Sequence, residues 1–104
     1  MRVLIALLLC VVCTSAYADY FSGNDLEQKL LQSNRMVDVS MFRGYVAGVQ
    51  DVFNGVAFCV PEDVPLSQAS AVVKKFLADN PRLWNEPAKL LVIKALKHAF
   101  PCVK

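Results

Sequence analysis

The sequence predicts an all-α fold, a compact bundle of about four helices closed by one disulfide. Three observations carry that prediction. Apolar residues recur at helical spacing in four segments. No stretch alternates in the manner of a β-strand. One pair of cysteines remains once an export signal is set aside.

The signal comes first because it changes every later count. Met1 and Arg2 give a short positive start, and Val3 to Val12 form an unbroken apolar run. Small residues follow, ending in Ala16-Tyr17-Ala18. That order of charge, apolar stretch and A-x-A site marks residues 1–18 as a cleavable secretory signal, cut between Ala18 and Asp19. Thr14 and Ser15 end the run short of the ~20 apolar residues that a spanning helix needs. The protein is therefore expected to work as one exported, periplasmic domain, residues 19–104, with no membrane association after processing.

The leader inflates the overall hydrophobic fraction of 56%. The mature stretch holds ten basic and nine acidic residues, a net charge of +1. A balance so near zero leaves no basic footprint for nucleic acid or for an anionic membrane surface. A domain of this size buries only about 60–65% of its unfolded surface and is marginal without a staple. Cys10 and Cys13 leave with the signal, so Cys59 and Cys102 are the only possible pair. Their bridge closes a loop worth roughly 4 kcal/mol in the chain-entropy model.

In the first helix, Ser22-Gly23-Asn24-Asp25 offers capping side chains and Leu26, Leu30 and Leu31 form the stripe, with an end near Asn34. The second helix begins near Asp38 or Ser40. Its apolar positions Phe42, Tyr45, Val46, Val49, Val52, Phe53 and Val56 cover more than one face, as in a central buried helix. Asn54-Gly55 is its stop. Residues 57–66, with Cys59, Pro61 and Pro65, read as an ordered connection. Ser67 caps the third helix, whose stripe is Val72, Val73, Phe76 and Leu77, and Asn80-Pro81 breaks it. A short helical turn carries Trp84. Pro87 then suits the first turn of a fourth helix, running through Leu90, Leu91, Ile93 and Leu96 to Ala99, with Pro101 beside Cys102 at its end.

No constellation supports catalysis, and no cofactor or metal is expected. The single histidine, His98, lies near a helix C-terminus, where an imidazole serves the dipole, and it lacks the several donors of a metal site. Glu62-Asp63 is a solvated pair in a proline-flanked loop. Lys89, Lys94 and Lys97 read as a solvated helix face. Gly44 and Gly48, four apart, leave a groove where another backbone can pack closely. A neighbouring helix of the same domain is the first candidate for that backbone, a second subunit the other.

Four motifs in order then suggest a family. They are Gly23-Asn24-Asp25-Leu26, Gly44-Tyr45-Val46-Ala47-Gly48-Val49, Phe58-Cys59-Val60-Pro61 with Val64 and Leu66, and Ala99-Phe100-Pro101-Cys102. With the helix from Val72 to Leu77 and its Asn80-Pro81 break, the mature chain resembles the periplasmic immunity proteins of type VI secretion amidase effectors, the Tai-like family. The resemblance implies a helical domain, often homodimeric, that binds a cell-wall amidase delivered by another cell and plugs its substrate cleft. It implies no catalytic residue, and it assigns no partner-binding residue, because immunity specificity resides in variable surface positions. Relatives carry a second disulfide whose places are held here by Ser33 or Asn34 and by Phe42, so the first helix should be tied less firmly to the second. Two other readings stand beside this one: a small acid-stress chaperone of the periplasm, and an envelope structural or binding factor without a toxin partner. One histidine and nine acids offer few pH triggers for the first of these.

Overall fold

The fold follows from four apolar stripes that cannot be buried singly. The computed structural model describes residues 20–103. The expected signal and its cut between Ala18 and Asp19 lie outside these residues. Among them are four helices: α1 (Asp25–Leu31), α2 (Met36–Phe53), α3 (Leu66–Asp79) and α4 (Ala88–Ala99), with a 3₁₀ turn at Pro81–Leu83. α3 packs on α1, α2 and α4.

α1 is a π-helix, and Gln32 N–H donates to the Glu27 carbonyl five residues back, at 3.1 Å. Its entry is fixed reciprocally: Ser22 N–H donates to Asp25 Oδ2 at 2.9 Å, and Asp25 N–H donates to Ser22 Oγ at 3.3 Å. The backbone just before it is laced to the far end of the chain. Gly23 N–H donates to Glu86 O, Asn24 N–H to Trp84 O, and Ala88 N–H to Phe21 O, all within 2.9 Å. A Cβ on Gly23 would stand 2.8 Å from the Trp84 Cα and 2.4 Å from Leu91 Cδ1. Only glycine admits this approach. The helix ends at Leu31 rather than near Asn34.

α2 starts at Met36, earlier than Asp38 or Ser40. The reason is a polar clip ahead of it: Arg35 N–H donates to Ser33 Oγ, which itself donates to Asp38 Oδ2 at 2.6 Å. A carboxylate in the first turn suits the helix dipole. The expectation of a central buried helix is overturned. Phe42, Val46 and Val49 are buried, but Val52 and Val56 are exposed.

Close packing at Gly44 and Gly48 within the domain is overturned too. Both glycines are exposed, and a Cβ on either would meet nothing within 4 Å. α3 and α4 pack against the opposite side of α2, where side chains rather than glycines fill the contact.

Asn54 stops α2, and Gly55 turns the chain at φ +86°, a left-handed conformation that favours glycine. Gly55 N–H donates to Phe58 O at 2.7 Å, and the Asn54 amide brackets Val60, accepting from its N–H at 2.8 Å. Phe58 is fully buried. The disulfide joins Cys59 to Cys102, and Cys59 N–H donates to Phe100 O at 2.9 Å. The connection is thereby fastened to the end of α4.

α3 starts at Leu66 after Pro65, one residue ahead of the anticipated cap at Ser67. Val73 and Leu77 are buried as the stripe requires, and Ala69 and Ser70 join them, while Val72 and Phe76 are half-buried. Its last carbonyls are satisfied by side chains: Asn80 Nδ2 donates to Phe76 O and Trp84 Nε1 donates to Leu77 O, each at 2.8 Å. Pro87 precedes α4 as its N-cap. Leu91 and Leu96 are buried with Ala88, Val92 and Ala95, whereas Leu90 faces out.

This packing makes three stability predictions. Cys59→Ser should cost about 2–5 kcal/mol in denaturant unfolding and leave Cys102 titratable with a thiol reagent. Gly23→Ala should cost about 1–3 kcal/mol through overpacking against backbone. In contrast, Gly44→Ala should raise the folding stability of the isolated subunit by roughly 0.5–1 kcal/mol.

Candidate interaction surfaces

The described residues hold no group of three or more His, Cys, Asp or Glu side chains able to bind a metal. No helix among them is long and apolar enough to cross a membrane. His98 is exposed on α4, and Glu62 and Asp63 are exposed in the connection. Cys59 and Cys102 are spent on the bridge. Three surfaces among the described residues are distinctive.

The first is the outer face of α2. Val37, Met41 and Val52 lie on it, 58%, 46% and 67% exposed, with Gly44 and Gly48 between them. Sequence reading found the glycines but assigned Val52 to the core. Its signal was there: Val37 and Met41 fall away from the stripe of Phe42, Val46 and Val49, and Val52 falls at that stripe's edge.

The second is a cleft of about 420 Å³ where α1, α2 and α3 meet. Leu30, Leu31, Val39 and Phe42 form its apolar lining, with Arg43 and Lys74 as its cations. Ser33 and Asn34 line it as well, so it stands where the resemblance places the missing second disulfide. The third is a groove of about 650 Å³ between α3 and α4, lined by Val72, Phe76 and Ala95 and edged by His98. Its rim charges are paired: Lys75 Nζ lies 3.0 Å from Asp79, and Lys94 Nζ donates to Glu86 Oε1 at 2.6 Å. The basic side of α4 is thus partly neutralised.

Two carboxylates on α1 behave in opposite ways. The Ser22 N–H hydrogen bond, and then the Lys29 ammonium, hold Asp25 below its ordinary value of 3.8. Burial raises Glu27 above its ordinary 4.5, with Lys74 pulling weakly the other way, and its Oε2 is buried without a hydrogen-bond partner. Asp25 thus contributes stability above 3.8 that is lost as pH falls through its lower folded value. Glu27 does the reverse: ionised above its folded value it weakens the fold, and the penalty vanishes below 4.5. Glu27→Gln should raise the melting temperature at neutral pH, and the gain should shrink to nothing in scans below 4.5.

The comparison with known families now bears on these surfaces. The model of the Rap1a immunity proteins matches residues 13–102. No match is found among curated proteins. The match spans every described helix, the connection between α2 and α3, and the cysteine pair. The match covers well over half of the sequence, and the chain belongs to the Rap1a immunity protein family.

Proposed function

We propose that this protein is an immunity protein of the periplasm. It is exported on residues 1–18, cut between Ala18 and Asp19, and binds and occludes a peptidoglycan amidase delivered by type VI secretion. The family match over residues 13–102 carries the reading. The ordered motifs that resemble the Tai-like immunity proteins support the amidase as the class of target.

Inhibition in this reading needs no catalytic residue and no cofactor. The bound domain fills the enzyme's substrate cleft, and the peptidoglycan strand has no room to enter. Occlusion works best from a surface that is rigid before contact, because little conformational entropy is then lost on binding. The connection between α2 and α3 has that property. It is tied by the Asn54 amide to Val60, by Gly55 to Phe58, and by the disulfide to the end of α4, while Pro61, Glu62 and Asp63 stand exposed. A stable complex should bury roughly 1,200–2,000 Å² in total. The reading includes self-association of the immunity protein into a homodimer.

Periplasmic co-production with a peptidoglycan amidase delivered by type VI secretion tests the proposal. Cells should survive the toxin, and the two proteins should elute together on size exclusion. Removing residues 1–18 should abolish protection in the cell. Continued lysis with the exported protein, together with separate elution, would show the reading to be wrong.

A further inference from the structure

The cleft where α1, α2 and α3 meet has walls of two kinds. Along α3, Ser67, Ser70 and Lys74 fall on one helical stripe, with Ala71 beside Ser70. Three of these four side chains are small, and about 420 Å³ stays open beside them. The facing walls are apolar: Leu30 and Leu31 from α1, Val39 and Phe42 from α2, with Arg43 next along that helix.

Two features of this cleft are left unanswered by the fold. Ser70 is only 4% exposed, and its Oγ is buried without a hydrogen-bond partner. A hydroxyl in that state costs free energy that an alanine at the same place would not. Arg43 and Lys74 are exposed and form no ion pair among the described residues. Lys74 acts on Glu27 only as a weak pull through space. None of the lining residues is an acid, and the Ser33 hydroxyl is already donated to Asp38. An apolar wall, two cations and an unmet hydroxyl thus lie together with no anion among them.

We infer that this cleft binds a small amphipathic carboxylate, an aliphatic body ending in one anionic group. The body lies on the wall of Leu30, Leu31, Val39 and Phe42. The carboxylate lies toward Arg43 and Lys74, whose charge strengthens the hydrogen bonds that it accepts. Ser70 Oγ gains an acceptor in a ligand oxygen. Small-ligand sites are built in this way, mostly apolar with a few polar groups that fix orientation, and span roughly 300–1,000 Å³. Glu27 offsets part of the Lys74 charge, so the cleft suits a single negative charge better than a phosphate dianion. A free fatty acid and the C-terminus of a short apolar peptide share this chemistry. The inference goes beyond the amidase reading and stands whatever enzyme the protein blocks.

Calorimetric titration of the exported, processed protein with octanoate tests it. One site per subunit is expected, with octan-1-ol and octylamine at least about tenfold weaker. Arg43→Gln should weaken octanoate by about tenfold, and added salt should weaken it further in the wild type. Ser70→Ala should also weaken octanoate, yet raise the melting temperature of the ligand-free protein. Acetyl-Leu-Leu, as the free acid and as its amide, separates the two sources. Binding of octanoate alone identifies a fatty acid; binding of the free-acid peptide alone, with its amide inert, identifies a peptide terminus; either supports a carboxylate site. Failure of both at millimolar concentration, or octanoate binding unmoved by both variants, would overturn the site. Octan-1-ol binding as tightly as octanoate would overturn the role of the cations. A lower melting temperature for ligand-free Ser70→Ala would overturn the unmet hydroxyl.

Discussion

The Cys59–Cys102 bridge is the constraint on which the rest of the structure depends. It spans 43 residues of sequence and encloses α3, the Trp84 turn and α4 in one covalent loop. The connection leading out of α2 is thereby held against the end of α4, where Cys59 N–H donates to Phe100 O. Phe58, the residue before the bridge, is then fixed as a fully buried plug. A domain this small has too little core to hold such a connection by apolar contact alone.

A second set of bonds closes the other end. The backbone from Phe21 to Asn24 is paired with that of Trp84, Glu86 and Ala88. Gly23 makes this possible, because the strand of chain before α1 passes almost against Trp84 and Leu91. The bundle is thus tied at both ends, covalently at one and by hydrogen bonds at the other. The outer side of α2 lies apart from both ties, and Val37, Met41 and Val52 remain exposed there.

The helices, their order and the bridge were legible in the sequence, because period and cysteine count are strong local signals. Boundaries were less so. The clip of Ser33 and Asp38 starts α2 early, and Pro65 starts α3 before Ser67; both depend on geometry that spacing does not encode. The glycines were misassigned for a similar reason. Spacing identified Gly44 and Gly48 as a groove, but only the packing shows that the groove is open and that Gly23 makes the close approach. Val52 was placed in the core because a list of apolar positions does not weigh one face of α2 against the other. The cleft between α1, α2 and α3 was invisible, since its lining comes from three separate helices.

The central claim is that the protein acts by being in the way. The proposed stoichiometric block is supported by membership of an immunity protein family and by the connection that the Cys59–Cys102 bridge holds in place. The most direct measurement is a titration of peptidoglycan digestion by a purified type VI secretion amidase against the processed domain. Inhibition should rise linearly and be complete at one subunit per enzyme, with the domain recovered unaltered. Digestion that continues undiminished at molar excess would contradict the account.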